Sequence, residues 1–156
     1  MLYFAYGSNM DWCQMLYRCP SAMFLDVALL PDHELKFTRE SKNRGCGVAD
    51  ACADKDSKVW GVVYQIDEKD VANLDANERY RPGRPKSENA YQRESRHVFV
   101  DGNKKNPFKV AVYFANPQAD PPLPNQAYKD LILAGAKHWH LPDEYIQHVL
   151  ECIKVE

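Results

Sequence analysis

Apolar and polar residues change rhythm several times along this chain, and the changes divide it into short elements. Residues 2–6 (LYFAY) form an unbroken apolar and aromatic run, as a fully buried strand does. Gly7-Ser8-Asn9 ends the run. Asn9 or Asp11 then stands where a cap is needed for a short helix carrying Met10, Leu16 and Tyr17. Residues 22–30 (AMFLDVALL) and 33–39 (HELKFTR) read as two strands parted by Pro31-Asp32, a turn signal. Gly, Asp, Lys and Ser crowd 41–57, which predicts a loop with one short strand near 46–51. β preference is strongest over 58–66 (KVWGVVYQI), the clearest strand of the chain.

Asp67 then opens a short helix, with Asp70 three residues on in a capping arrangement and Val71 and Leu74 on one face. Pro82, Gly83 and Pro85 break that periodicity. Two further strands, 91–100 (YQRESRHVFV) and 107–115 (PFKVAVYFA), are joined by Asp101-Gly102, a strong hairpin signal. An irregular proline-rich stretch, 117–124, leads into a helix over 126–138 with Tyr128, Leu131, Ile132 and Ala136 on one face. A last helix follows Leu141, with Pro142 in its first turn and Tyr145, Ile146, Val149, Leu150 and Ile153 as its apolar stripe. The elements do not alternate in a βαβ rhythm. The pattern predicts an α+β fold, a single domain over 1–156 whose mixed, curved or barrel-like β-sheet is flanked by short helices.

Composition narrows the function classes. Apolar residues make up 45 % and charged residues 27 % of 156, the balance of a globular protein with a real core. A net charge of -2 argues against a nucleic-acid partner, whose binding domain would be basic. No apolar run approaches the roughly 20 residues that span a bilayer, and no signal peptide is evident, so no membrane partner and a cytoplasmic location are expected. Five cysteines are an odd number, which disfavours a disulfide framework. Cys13/Cys19 and Cys46/Cys52 share a spacing too wide for the usual zinc pair, so reduced, partly buried thiols and no metal are expected. His138 and His140, two apart on a helix, point away from each other and read as surface histidines. No His is placed to activate Ser8, and no cysteine sits in an activating context.

The remaining chemistry lies at the first turn. A buried strand running into Gly7-Ser8-Asn9 and then a helix presents backbone N–H groups that suit a carboxylate, a phosphate or an oxyanion. Gly7 has no Cβ to hold a ligand away. Read alone, the stretch is better taken as a tight turn between strand and helix, capped by Ser8 or Asn9.

The stretch "YFAYGSNM", residues 3–10, resembles the start of the γ-glutamylcyclotransferase-like (AIG2-like) family, whose first strand ends in Tyr-Gly-Ser-Asn. "VWGVVYQID" at 59–67, "LDANE" at 74–78, "YQR" at 91–93, "AVYFAN" at 111–116 and "YKDLILAGAKHWHLPDEY" at 128–145 are similar to later family segments in the same order. The resemblance implies intramolecular cleavage of a γ-glutamyl amide by the substrate's own α-amino group, releasing 5-oxoproline and an amine or amino acid. It implies no cofactor, no metal, a small-molecule γ-glutamyl substrate as partner, and a monomer or homodimer. Glu78 carries over as general acid/base, near the C-terminal end of a short helix where its pKa would be raised. Tyr3, Phe4, Ala5, Tyr6, Gly7, Ser8 and Asn9 carry over as the substrate cradle, with Tyr128 and Tyr113 beside them. The family often has Gly after that Glu, whereas Arg79 stands here and opens "RYRPGRPKSENA". That basic loop is expected to border the pocket and to select an acidic leaving group through Arg81 and Arg84. A non-catalytic module binding a small anion is the alternative.

Overall fold

Five strands form the sheet of the computed structural model, which describes all of residues 1–156: β1 (Leu2–Ala5), β2 (Met23–Ser41), β3 (Cys46–Gln65), β4 (Tyr91–Val100) and β5 (Pro107–Ala115). They close into a barrel in the order β1–β3–β2–β4–β5. Only the closing pair is parallel, with Tyr3 of β1 opposite Ala111 of β5. All other pairs are antiparallel. Helices α1 (Trp12–Arg18), α2 (Glu68–Asn77), α3 (Gln126–His138) and α4 (Asp143–Tyr145) fill the connections. α4 runs directly into a π-helical turn, Ile146–Leu150. The expected mixed, barrel-like sheet flanked by short helices is the fold observed.

Two expectations fail in the longest strands. Pro31-Asp32 does not turn the chain. β2 continues through it as a bulge, with the register slipping between Pro31 and His33. Asp32 and the facing Asp56 take left-handed backbone angles (φ 57° and 67°), and Asp32 Oδ1 accepts the Asp56 N–H at 3.0 Å. An extra residue in left-handed conformation bends a strand pair without ending it, and Asp tolerates that conformation. Nor is 41–57 a loop: only four residues connect Ser41 to Cys46, and 46–57 belongs to β3. Its weak β preference is overridden by pairing with β2 and by burial of Cys46–Ala51. Residues 115–123 flank this ribbon, with Gly47 N–H donating to Leu123 O at 2.9 Å and Gln118 N–H donating to Thr38 O at 2.8 Å.

The core runs through the barrel from Phe4, Val59, Val62, Val63 and Tyr64 to Leu74, Ile132 and Leu150. Outside it, Trp12 stacks on Tyr64 (5.9 Å between ring centres) and Trp139 stacks on Phe24 (4.1 Å), binding α1 and the end of α3 to the sheet. Helix caps differ in part from expectation. Asp11, not Asn9, caps α1 by accepting the Gln14 N–H at 2.8 Å. Asp67 makes no capping bond, and Asp70 instead accepts the N–H and hydroxyl of Ser21, tying α2 to the chain entering β2. Asn125 caps α3 through the Tyr128 N–H at 2.9 Å. No helix is long and apolar enough to cross a membrane.

Candidate active site

β1 ends at Ala5, and the chain turns through Gly7 into a 3-10 turn at Ser8–Met10. The carbonyls of this turn face the core. Tyr64 OH donates to Asn9 O at 3.0 Å, and Trp139 Nε1 donates to Met10 O at 2.9 Å. α3 presses backbone against backbone here, since a methyl on Gly135 would lie 2.3 Å from the Met10 carbonyl carbon. With the carbonyls held inward, the N–H groups of Gly7 and Ser8 have no acceptor among the turn and side-chain hydrogen bonds. Both residues line a cavity of about 330 Å³. Gly7 is bare for a packing reason as well, because a Cβ there would sit 3.2 Å from Ala49 Cβ.

Glu78 enters the same cavity from the end of α2. The helix closes in a Schellman arrangement: Arg79 N–H donates to Ala76 O at 3.0 Å and Tyr80 N–H donates to Asp75 O at 2.9 Å. Glu78 is therefore the C-cap, and termination of the helix aims its carboxyl inward, leaving the side chain 14 % exposed. Burial pushes the Glu78 pKa above the ordinary glutamate value, and the Asp75 charge adds to this. The Arg18 guanidinium, the hydrogen bond from Asn9 and the more distant Arg44 pull the other way without reversing it. The negative end of α2 acts in the same direction as burial.

Asn9 joins the turn to the acid. Its Nδ2 donates to Glu78 Oε1 and to Tyr3 OH, each at 3.0 Å. Its Oδ1 accepts from Arg18 NH1 at 2.8 Å and from Gln14 Nε2 at 3.0 Å. All four hydrogen-bonding positions of the buried amide are thus used, which fixes both its own orientation and that of the carboxylate. Arg18 lies 3.6 Å from Glu78 Oε1, an ion-pair distance. Ser8 Oγ accepts from Gln14 Nε2 at 2.9 Å, and Arg44 NH2 lies 3.3 Å from it. That hydroxyl is held by donors, with no histidine beside it.

Tyrosines make most of the remaining wall. Tyr6 OH donates to Tyr113 O, and Tyr113 OH donates to the buried Asp75, which Arg93 also holds at 2.9 Å. The backbone of Ala49 is clamped on both sides: its N–H donates to Tyr128 OH at 3.0 Å and its carbonyl accepts from Tyr91 OH at 2.7 Å. Tyr3 OH accepts from Asn9 while its own proton has no acceptor in the structure. Across the mouth, Arg44 from the β2–β3 turn lies 4.9 Å over the Tyr128 ring and donates to Gln14 Oε1 at 2.6 Å.

The structure therefore brings Tyr3, Tyr6, Gly7, Ser8, Asn9, Glu78, Tyr113 and Tyr128 to one cavity. Phe4 and Ala5 are not in its wall; they lie in the core, paired with Val63 and Val62 of β3. The basic loop meets the cavity only through its two ends, Arg79 and Ala90. Arg81 and Arg84 turn instead to Asn89, whose Oδ1 accepts from Arg81 N–H at 3.1 Å and Arg84 Nε at 2.8 Å. The charge beside Glu78 comes from Arg18, not from that loop. Arg18, Arg44, Gln14 and Asp75 were missed because each reaches the site from an element whose local pattern gives no reason to single it out. All five cysteines are free, and burial pushes the thiols of Cys19 and Cys52 up to about 11, away from nucleophilic thiolate. His138, His140 and His148 are exposed.

Comparison with known proteins gives a consistent picture. The model of the AIG2-like family matches residues 58–149. A mouse protein named gamma-glutamylcyclotransferase is 32 % identical over 157 residues, covering 98 % of this chain and 78 % of its own. A human protein of the same name is also 32 % identical, with the same coverage of both chains. A solved structure of a gamma-glutamyl cyclotransferase superposes with a TM-score of 0.88 at 29 % identity, covering 100 % of this chain and 89 % of that one.

Proposed function

This chain belongs to the AIG2-like, γ-glutamylcyclotransferase family, and we propose that it cleaves a γ-glutamyl amide by intramolecular aminolysis, with Glu78 as the general acid/base. The observation that carries this reading is the link through Asn9. One buried amide positions both the Glu78 carboxylate and the turn that offers free N–H groups to the same cavity.

In this reading the substrate folds back on itself with its γ-carbonyl oxygen against the Gly7 and Ser8 N–H groups. Glu78, as carboxylate, takes a proton from the α-ammonium. The freed amine attacks the γ-carbonyl carbon, forming a C–N bond and a tetrahedral oxyanion, which the turn stabilises. Collapse expels the amide nitrogen, to which Glu78 returns the proton, and the ring nitrogen sheds its remaining extra proton to solvent or, through the regenerated Glu78 carboxylate, to the released amine. The products are 5-oxoproline and a free amine or amino acid. The nucleophile comes from the substrate, so no covalent enzyme intermediate and no metal enter the scheme. The raised Glu78 pKa suits a group that must both accept and return a proton near neutrality.

The test is release of 5-oxoproline from a panel of γ-glutamyl dipeptides and γ-glutamyl-amines. Glu78→Gln, which keeps the size and the bond from Asn9, is expected to lower kcat by about a thousandfold. Full activity in that variant removes Glu78 from the chemistry. One observation favours the non-catalytic reading, namely Arg18 at ion-pair distance from the proposed base. Tight binding of γ-glutamyl compounds with no 5-oxoproline from any of them would support it.

A further inference from the structure

The cavity is cationic although the chain as a whole carries a net charge of -2. Four arginines line it (Arg18, Arg39, Arg44 and Arg79) against two glutamates, Glu40 and Glu78. Arg18 is matched with Glu78. Arg39, Arg44 and Arg79 have no carboxylate oxygen within 4.0 Å. Two of these three are engaged by neutral groups: Arg39 donates to Asn116 O at 2.8 Å, and Arg44 donates to Gln14 Oε1. Arg79 has no hydrogen bond from its side chain at all.

Arg79 is also conformationally out of place. It occupies the first residue past the end of α2 in the left-handed region, φ 51°, where glycine is favoured because L side chains are strained. Its carbonyl is held there by Ala90 N–H and Arg84 NH2, each at 3.1 Å, so the backbone cannot relax. A side chain retained at a strained position, next in sequence to the proposed acid, in the cavity wall and unpaired, points to a job in the cavity.

We propose that Arg79 is a specificity-determining residue, and that the preferred substrate is a γ-glutamyl conjugate whose leaving half carries two acidic groups. The inference rests on the γ-glutamyl reading above. The glutamyl half of such a substrate carries one ammonium and one carboxylate, so it is neutral overall and leaves the surplus positive charge of the cavity unmatched. A leaving amine with a single carboxylate cancels half of that surplus, and one with two cancels it. Arg39 and Arg44 reach the cavity from the β2–β3 ribbon, and Arg79 reaches it from the end of α2. Arg79 adds a third positive group without a carboxylate partner to the cavity wall, from the residue that follows Glu78 in the chain. Because Arg79 is exposed and screened by solvent, its effect is moderate and salt-sensitive.

The decisive pair is γ-glutamyl-glutamate and γ-glutamyl-glutamine, which match in shape and differ by one charge. Wild-type protein should favour the former in kcat/KM by about tenfold at low salt. Arg79→Gly relieves the backbone and so carries no folding risk, and it should reduce that ratio to below about threefold, while Arg79→Lys retains most of it. Arg81→Ala, outside the cavity, should keep the full ratio. Equal kcat/KM for the two dipeptides, or an undiminished ratio in Arg79→Gly, overturns the inference. Calorimetric titration of both dipeptides into Glu78→Gln separates recognition from turnover. If neither dipeptide yields 5-oxoproline, the catalytic reading fails. The binding ratio then decides alone: a preference for the glutamate dipeptide upholds the ligand class, and equal binding overturns it.

Discussion

The two walls of the cavity are built on different principles. On one side, the turn at Gly7–Met10 is held from every direction by Tyr64, Trp139, α3 and the Asn9 network, and Ser8, Asn9 and Met10 are buried. On the other side, the chain from Arg79 to Glu88 is largely exposed and organised by one amide, Asn89, with a single left-handed arginine at the cavity wall. The contrast teaches where precision is needed. Proton transfer and oxyanion binding require groups fixed to a fraction of an ångström, whereas reading charge on a leaving group tolerates a mobile, solvated side chain.

Four substitutions break or sharpen this contrast, taken from the largest effect to the smallest. Gly135→Ala drives a methyl into the Met10 backbone and should destabilise the fold by about 3 kcal/mol, read as a fall in Tm, because neither helix nor turn can move aside. Asn9→Ala releases Glu78 and Tyr3 together and should lower kcat about a hundredfold, with KM changed much less. It should also move the acidic limb of the pH profile upward, since the lost hydrogen bond favours the carboxylate. Arg18→Met tests the electrostatics of the fixed wall. The base must be ionised to act, and burial already places its acidic limb above that of an ordinary glutamate. Removing a positive neighbour raises the Glu78 pKa further, so the limb of kcat/KM should shift to still higher pH. A shift to lower pH would show that Arg18 does not act on Glu78 as the geometry requires. Finally, Asn89→Ala loosens the exposed wall. It should cost about 1 kcal/mol of stability and less than about threefold in kcat. If Asn89→Ala lowers kcat as much as Asn9→Ala does, the two walls are not functionally distinct.

The same contrast explains what could be read from the sequence. β4, β5 and α3 coincide with their expected spans, because each has a clear local cue: the Asp101-Gly102 turn for the hairpin, and the 3.6-residue spacing of Tyr128, Leu131, Ile132 and Ala136 for the helix. The ribbon of β2 and β3 was not legible. Pro31-Asp32 has the composition of a turn, and only the facing Asp56, which shares its left-handed geometry, makes it a bulge instead. The polar run 50–58 has weak β preference and becomes a strand because β2 supplies its partner. At the site, the turn and Glu78 stood out through resemblance to a family motif. The groups that tune them reach the cavity across long stretches of sequence: Arg18 meets an acid 60 residues on, and Arg44 meets Ser8 and Tyr128 from a turn expected to be an ordinary loop.

The position of Glu78 at the very end of α2 turns the length of that helix into a gauge. Each residue added to an α-helix rotates every later side chain by about 100° around the axis. One alanine inserted between Leu74 and Glu78 would therefore swing the carboxyl off the cavity or pull Leu74 out of the core, whichever anchor gave way. The exposed residues of α2 can drift in this molecule, but the number of residues cannot.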